Sequence, residues 1–230
     1  GLEAVLPDGT AIATGGKEPD LPGYDLTGLL TGSEGTLGLI TKVILKLMRK
    51  PETVKTLLAV YDAPEDAGQT VSEITARAIT PVALEMMDGV MLRMAEQATQ
   101  AGYPMDAAAI LLIELEGLGE AVEEQAELLW KGRKNTFGAV GRVSPTFMVQ
   151  DGVVPRTKIA STLRFIHQVS EKYGLVISNI FHAGDGNLHP LILFNARRPG
   201  ELDKARAAGA EILQHCIAQG GTITGEHGVG

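Results

Sequence analysis

Two apolar stretches with a short glycine-rich segment between them most constrain the fold of this chain. Residues 175–182 and 188–194 are rich in isoleucine, leucine and phenylalanine, which favours extended strands. The segment between them contains Asp185-Gly186, a pair that favours a tight reversal because both central positions of a type I′ turn need positive φ. The pattern therefore predicts an antiparallel hairpin, and with it a sheet that needs helices to cover its apolar surface.

Strand and helix signals alternate over most of the chain beyond residue 50. The predicted strands are residues 57–61, 82–87, 109–115, 175–182, 188–194 and 222–224. The predicted helices are one capped by Asp62 and then residues 89–100, 120–131, 157–173 and 201–219, whereas residues 134–150 are expected to be irregular. The order from 109 to 224 is close to a split β-α-β layout. We therefore predict an α+β fold of antiparallel sheet backed by helices, with ferredoxin-like elements.

The first 50 residues are glycine-rich and contain few helix signals. A strand, an Asp8-Gly9 turn and a second strand are predicted over residues 5–12, and a further strand over 37–47. Residues 24–38 are predicted to be mostly loop. The sequence begins without Met and closes in a glycine-rich turn, and we interpret it as an internal piece of a longer polypeptide.

The composition excludes several classes of protein. Of the 230 residues, 44% are hydrophobic and 21% are charged, which is sufficient for a packed core. A net charge of −8 argues against binding to nucleic acid or to an anionic membrane, because both need clustered cations. The longest apolar run, residues 107–113, is too short to cross a bilayer. Cys216 is the single cysteine, so this chain alone holds no disulfide framework and no iron–sulfur cluster.

The residues that flank the turn of the hairpin are the strongest candidates for a functional site. A turn at 185–186 places His182 opposite His189 on one face, where two imidazoles can chelate one metal ion. Glu226, in the glycine-rich turn near the end of the sequence, offers an oxygen donor. A His-His-Glu set with open positions suits Zn²⁺, Mn²⁺ or Fe²⁺.

The alternative interpretation is a cross-strand histidine pair in a polar groove that binds no metal. The small residues around the pair weigh against this alternative. Ala183, Gly184 and Gly186 remove side-chain bulk at the place where a ligand would approach.

A second glycine-rich segment precedes the strand predicted at 37–47. Residues 31–38 read Thr-Gly-Ser-Glu-Gly-Thr-Leu-Gly, and such small residues let backbone N–H groups approach an anionic or planar ligand. The segment matches neither a Walker A loop nor the Gly-x-Gly-x-x-Gly dinucleotide fingerprint. A tight surface turn is the alternative interpretation.

Two arginines are candidates for binding a carboxylate. Arg133 lies in Gly132-Arg133-Lys134-Asn135, and Arg156 follows Val154-Pro155. The planar guanidinium group can bind a carboxylate through two parallel hydrogen bonds. For either arginine, a solvated charge at a helix end is the alternative.

Taken together, these segments resemble the FAD-linked oxidases of the vanillyl-alcohol-oxidase type, a family that includes the glycolate oxidase flavin subunit and the D-lactate and D-2-hydroxyglutarate dehydrogenases. The resembling segments follow the family's order over nearly the whole chain, at residues 23–27, 32–38, 132–135, 150–156, 182–189 and 225–228. Residues 132–135 and 150–156 are most similar to the glycolate oxidase flavin subunit.

The resemblance implies a domain organisation and a role for each candidate residue. Residues 1–50 would be the C-terminal part of the FAD-binding domain, and residues 51–230 the FAD-linked oxidase C-terminal (substrate) domain, truncated at its C-terminal end. The metal ligands would be His182, His189 and Glu226, and the catalytic residues would be His227 as the base, Arg133 on the substrate carboxylate and Asn187 near flavin and substrate. The FAD-binding residues would be Gly32, Ser33, Glu34, Gly35, Thr36, Gly38 and Ile40.

The same resemblance implies the reaction and its partners. The expected activity is FAD-dependent oxidation of a small 2-hydroxy acid, of the glycolate or D-lactate type, to the 2-oxo acid. A second flavin-family subunit and an iron–sulfur subunit would be partners, and they would hold a cytoplasmic protein at the inner membrane. The family's N-terminal loop for the FAD pyrophosphate lies outside these 230 residues, so we expect this chain alone to bind FAD poorly.

Two other functions remain open at this stage. One is a non-catalytic flavin-family subunit of a multi-subunit oxidase, although such a subunit has no need of a metal triad. The other is a metal-dependent hydrolase, which would leave the segment at 32–38 without a role.

Overall fold

A computed structural model of the chain describes residues 1–16, 23–47, 54–116 and 136–227. The helix predicted at 120–131 and the candidate Arg133 lie outside these residues. The described residues form two compact units, one that ends at residue 47 and one that begins at residue 54. The first unit carries the glycine-rich segment at 31–38, and the second unit carries the histidines.

The first unit is a three-stranded antiparallel sheet with one short helix. Its elements are β1 (Leu2–Val5), β2 (Ala11–Thr14), α1 (Leu26–Leu30) and β3 (Leu39–Val43), in the strand order β2-β1-β3. The prediction of loop at α1 is wrong. This helix begins where the Asp25 carboxylate accepts a hydrogen bond of 2.8 Å from the backbone N–H of Gly28.

The second unit is a six-stranded antiparallel sheet covered by helices. Its strands are β4 (Val54–Tyr61), β5 (Ala83–Asp88), β6 (Ala109–Glu116), β7 (Thr146–Val149), β8 (Val176–His182) and β9 (Asn187–Phe194). Its helices are α2 (Pro64–Ala76), α3 (Gly89–Thr99), α4 (Thr136–Val143), α5 (Ile159–Tyr173) and α6 (Glu201–Ala218). The strand order is β4-β6-β5-β8-β9-β7 with every pair antiparallel, which confirms the predicted α+β architecture.

Two hydrophobic cores lie on opposite faces of this sheet. In β6, Leu111 belongs to the core shared with α2, α5 and α6, and the next residue, Leu112, belongs to the core shared with α3 and α4. Successive side chains of a strand point to opposite faces, so a strand buried on both faces must be apolar at consecutive positions. This explains the uninterrupted apolar run at 107–113.

The region predicted to be irregular, residues 134–150, contains the helix α4 and the strand β7. Two glycines in α4, Gly138 and Gly141, lower its intrinsic helix propensity. The helix nevertheless buries Ala139 and Val140 in the core shared with α3. Tertiary packing therefore outweighs the local propensity here.

Two further local predictions are wrong. The cap predicted at Asp62 does not form, because α2 begins at Pro64 and no side chain in the described part of the chain caps its first turn. The strand predicted at 222–224 is reduced to an isolated bridge between Thr222 and Val153. This bridge connects the segment that precedes Glu226 to the segment that follows β7.

The β8–β9 hairpin differs from the prediction in its turn and its register. Four residues, 183–186, connect the strands, and Gly186 has a positive φ of 76° whereas Asp185 does not. His182 lies opposite Asn187, and His189 lies opposite Ile180, so the predicted His182–His189 pairing is wrong by two residues. Because a shift of two preserves the side-chain alternation, both histidines still point to the same face.

Candidate metal centre

Three predicted metal ligands lie together at the hairpin end of the second unit. The imidazole rings of His182 and His189 are 5.4 Å apart between centroids and nearly perpendicular. Nε2 of His182 lies 3.4 Å from one carboxylate oxygen of Glu226, and Nε2 of His189 lies 3.2 Å from the other. The diagonal neighbour relation of the two histidines is sufficient for long side chains to converge.

The second ring nitrogen of each histidine faces an acceptor. Nδ1 of His182 is 2.8 Å from Oε1 of Glu85, and Nδ1 of His189 is 3.4 Å from the backbone oxygen of Gln150. These acceptors favour the proton on Nδ1, which leaves the lone pair of each Nε2 directed at Glu226. Two such lone pairs beside a carboxylate offer donor atoms to one cation, so the donor set fits a divalent metal ion.

His227 lies beside this set and not within it. Its ring stacks on that of His189 with centroids 4.7 Å apart, and its Nε2 is 3.9 Å from Glu226. The side chains of His227 and Glu226 are both close to half-exposed, whereas that of His189 is buried. An exposed imidazole next to the ligand set is suited to exchanging a proton with a bound substrate.

A buried carboxylate explains how two neighbouring residues, Glu226 and His227, both reach this site. Oδ2 of Asp151 accepts hydrogen bonds of 2.7–2.9 Å from the hydroxyl of Thr224 and from three successive backbone N–H groups, those of Gly225, Glu226 and His227. Successive N–H groups that share one anion curve the backbone into a concave turn. A Cβ on Gly225 would lie only 2.8 Å from the side-chain amide of Asn187, so glycine is needed for space.

Burial and hydrogen bonding shift two pKa values in this site. Burial alone would raise the pKa of Asp151, but the hydrogen bonds from residues 224–227 outweigh it and hold that pKa well below the usual range. Burial, together with the positive charge that His227 and His182 can carry, lowers the pKa of His189. Asp151 is therefore a fixed anion, and His189 is favoured in the neutral form that binds metals.

A second combination of ligands is present in the same place. Asp151, His189, Glu226 and His227 each offer one donor atom, and these four atoms lie within 4.8 Å of one another. Oδ2 of Asp151 is already occupied by four donors, and Oδ1 faces Nδ1 of His189, which is 3.6 Å away. Nε2 of His189 faces Glu226 instead. An ion bound between Nε2 of His189 and Glu226 would therefore lie on the side of the imidazole ring away from Asp151.

Asn187, the third predicted catalytic residue, lies opposite His182 in the β8–β9 ladder. It is 97% buried, yet neither polar atom of its side chain has a hydrogen-bond partner in the part of the chain that the structure describes. An orphaned amide of this kind costs free energy unless a ligand or water satisfies it. Its position next to the metal ligands is in keeping with a binding role.

The small residues of the hairpin serve packing, contrary to the prediction that they leave room for a ligand. A Cβ on Gly186 would overlap the backbone oxygen of Val154, and one on Gly184 would touch Leu84. The backbone N–H of Gly184 donates to the oxygen of Leu84 over 3.0 Å. Gly186 therefore lets the hairpin turn approach the Val154 backbone closely, whereas Gly184 leaves room for an ordinary contact with Leu84.

The predicted FAD-binding residues lie in the first unit, on the loop between α1 and β3 and at the start of that strand. Gly32 and Gly35 have φ values of 79° and 78° with no atom near the place of a Cβ. Oγ of Ser33 is buried and has no hydrogen-bond partner among the described residues, while Ile40 is exposed on β3. An orphaned hydroxyl on an open glycine-rich loop fits a polar ligand such as a flavin nucleotide. The remaining members of the predicted set, Glu34, Thr36 and Gly38, lie on the same loop.

The sequence interpretation missed two residues of this site, Glu85 and Asp151. Glu85 is a buried charged residue between Leu84 and Met86 in β5, a placement that signals a paired or functional group. Asp151 lies in a segment that was noted only for its resemblance to a family. Of the two candidate arginines, Arg133 is outside the described residues, and Arg156 donates to the oxygen of Gly184 over 3.0 Å.

Comparison with known proteins places this fold in a family. Residues 50–129 and 120–230 match the family described as FAD linked oxidases, C-terminal domain. The chain belongs to this family. No helix in the described ranges is long and apolar enough to span a membrane.

Its relatives include two bacterial proteins of one name. The chain is 44% identical to the "Glycolate oxidase subunit GlcD" of Escherichia coli (strain K12) and 43% identical to that of Bacillus subtilis (strain 168). A "D-lactate dehydrogenase" of Archaeoglobus fulgidus is 32% identical. All three matches cover 100% of this chain and 51–55% of the relative, so the chain spans about half the length of these relatives.

The matches also show that the relatives carry residues that this chain lacks internally. The E. coli match extends over 253 aligned positions, whereas the chain has 230 residues, so about 23 positions have no counterpart here. The family match is split into two stretches that meet at residues 120–129.

The similar solved structures support the assignment of the fold and nothing beyond it. A substrate-bound p-cresol methylhydroxylase matches with a TM-score of 0.64 at 18% identity, covering 96% of this chain and 56% of that chain. The 4-ethylphenol oxidase of Gulosibacter chungangensis matches with a TM-score of 0.67 at 14% identity, with the same coverage.

Proposed function

We propose that this chain is part of a FAD-dependent oxidoreductase that converts a small 2-hydroxy acid, of the glycolate or D-lactate type, to the 2-oxo acid. The observation that carries the proposal is the convergence of Nε2 of His182, Nε2 of His189 and the Glu226 carboxylate, with His227 at their side. Membership of the FAD-linked oxidase family supports it, as do relatives named glycolate oxidase subunit and D-lactate dehydrogenase.

Each unit has its own part in this proposal. Residues 1–50 contribute the end of a FAD-binding domain, whose loop at 32–38 and Ile40 contact the flavin. Residues 51–230 form the substrate domain. The unpartnered hydroxyl of Ser33 and the open positions beside Gly32 and Gly35 support the first assignment.

The chemistry follows from the charges that a 2-hydroxy acid presents. Arg133 would bind the substrate carboxylate, and His182, His189 and Glu226 would hold a divalent metal ion beside the substrate. When bound, the ion would supply the positive charge that lowers the pKa of the substrate hydroxyl group, and the flavin would supply the acceptor for the hydride of the α-carbon. His227 takes the hydroxyl proton on its ring, and the amide of Asn187 satisfies its hydrogen bonds on substrate or flavin.

We further propose that the electrons leave the flavin through a partner subunit. Cys216 is the single cysteine of the chain, and it is fully buried in the core beneath α6, so these residues supply no iron–sulfur ligand set. A second flavin-family subunit and an iron–sulfur subunit are the proposed partners. The name of the E. coli relative, a subunit of glycolate oxidase, supports a multi-subunit assembly. We place this assembly in the cytoplasm, in contact with the inner membrane through its partner subunits.

The experiment compares His189→Ala and His227→Asn with His167→Ala, a control because His167 is an exposed histidine of α5. All measurements use the full-length protein that contains this chain. Metal content is measured by elemental analysis, and turnover is measured with glycolate, D-lactate and D-2-hydroxyglutarate and a dye acceptor. We expect about one divalent ion per chain in the unmodified protein and in the control. His189→Ala should lose both metal and turnover, whereas His227→Asn should keep the metal and lower kcat by ~10²–10⁴-fold.

Two results would contradict the proposal. If the active protein contains no divalent metal, the assignment of His182, His189 and Glu226 as metal ligands is wrong. Loss of metal in His227→Asn would move His227 from the base to the ligand set.

A further inference from the structure

We propose that Asp151 is the positioning residue of this metal centre, holding both the Glu226-His227 turn and the imidazole of His189 through its two carboxylate oxygens. This inference rests on the proposed metal site and adds a residue that would act through the metal ligands and not on substrate or flavin. Asp151 is 95% buried, lies two residues after the end of β7, and contacts the Glu226-His227 turn and His189.

The first oxygen fixes the turn. Oδ2 accepts four hydrogen bonds, three of them from the backbone of residues 225–227 and one from the Thr224 hydroxyl. In an extended strand, adjacent side chains would point to opposite faces, so Glu226 and His227 could not serve one cavity. The shared anion bends the backbone and brings the carboxylate and the imidazole to the same side.

The second oxygen faces a ligand. Oδ1 of Asp151 is buried without a hydrogen-bond partner in the described residues, and it lies 3.6 Å from Nδ1 of His189. This distance is longer than a hydrogen bond, so Oδ1 acts on the imidazole through its negative charge, beside the backbone oxygen of Gln150 that lies 3.4 Å from the same Nδ1. A carboxylate behind a metal-bound histidine fixes the tautomer and increases the basicity of the nitrogen that binds the metal.

An aspartate is needed because both of its oxygens face donors. In Asp151→Asn, one oxygen becomes an NH₂ group. Either this group meets the four donors of residues 224–227, or it meets the Nδ1–H of His189. One side of the site is therefore mismatched in either orientation, and the ligands should lose their alignment without leaving the protein.

A matched control is present in the same unit. Asp88 is also buried, and its two oxygens accept four hydrogen bonds, from the Met91 backbone, the Ser178 hydroxyl and the backbone and amide of Asn179. Asp88→Asn creates the same donor conflict at the N-terminus of α3. It should lower stability without changing the metal centre.

The test measures Co²⁺ binding to the purified protein and its Asp151→Asn and Asp88→Asn variants by titration, with the visible absorption of bound Co²⁺ as a report on ligand geometry. We expect Asp151→Asn to bind one ion per chain with a Kd raised about 10- to 100-fold and a changed spectrum. Asp88→Asn should keep the unmodified Kd and spectrum while its melting temperature falls. Thr224→Val, which removes one of the four donors to Asp151, should give a smaller change in the same direction, and it decides the matter if Asp151→Asn fails to fold.

The possible failures are distinguishable. If the unmodified protein binds no Co²⁺, the proposed metal site is wrong and this inference falls with it. If it binds Co²⁺ but Asp151→Asn shows an unchanged Kd and spectrum, the inference alone is overturned. Complete loss of the ion from folded Asp151→Asn would make Asp151 a ligand, which also overturns the positioning role.

Discussion

Two glycine-rich segments of the molecule look alike in sequence and differ in what their glycines do. In the loop at 32–38, Gly32 and Gly35 have positive φ, and open space surrounds the place of a Cβ. In the hairpin turn at 183–186, Gly186 also has positive φ, but a Cβ there would overlap the backbone oxygen of Val154. The same residue type therefore supplies backbone conformation in one segment and close approach of two backbones in the other.

The difference bears on how each segment serves the proposed function. The hairpin is fixed on several sides, since Gly186 also accepts a hydrogen bond from the backbone N–H of Val154 and Gly184 donates to Leu84. It holds His182 and His189 in place by packing. The loop at 32–38 combines a buried, unpartnered Ser33 hydroxyl with open space beside Gly32 and Gly35, which suits a segment that meets a ligand.

The largest expected effect is that of Gly186→Ala. The new methyl group overlaps the backbone oxygen of Val154, and the alanine backbone must also adopt the left-handed conformation. We therefore expect a loss of about 3 kcal/mol or more in the free energy of unfolding. Urea denaturation followed by circular dichroism measures it. A variant as stable as the unmodified protein would show that the hairpin and the Val154 backbone are not in close contact.

The strands of the second unit were largely predictable from the sequence, because buried strands of an antiparallel sheet must be apolar. The register of the hairpin was not predictable, since Asp185-Gly186 suggested a two-residue turn and the structure uses four residues. The register error was two residues, and an even shift keeps both histidines on the same face of the sheet. α4 was missed because its two glycines hide a helix that forms by burying Ala139 and Val140.

The candidate site was predictable only in part. His182, His189 and Glu226 have side chains whose chemistry is visible in the sequence. Glu85 and Asp151 act through contacts that depend on strand order: β5 lies beside β8, and β7 lies beside β9. No local pattern shows that Glu85 reaches His182 from a strand 97 residues earlier in the chain.

The second prediction separates the cost of the left-handed backbone conformation from the cost of the steric overlap at Gly186. Gly32→Ala has nearly the same φ to accommodate as Gly186→Ala, but no atom lies within 4 Å of the new methyl group. The expected cost is that of the left-handed conformation alone, about 1–2 kcal/mol in the free energy of unfolding. The same urea denaturation applies, and equal losses in the two variants would remove the distinction between the segments.

The smallest expected effect is that of Gly184→Ala, which tests the packing within the hairpin itself. Gly184 has no positive φ, and a methyl group there would lie 3.4 Å from Cβ of Leu84, an ordinary van der Waals contact. Its backbone N–H keeps the hydrogen bond to Leu84, and the added methyl group restricts the unfolded chain. We therefore expect the free energy of unfolding to change by no more than about 0.5 kcal/mol, with Co²⁺ affinity retained. A large loss of stability in this variant would mean that the whole turn is closely packed, and that the tight contact is not confined to Gly186.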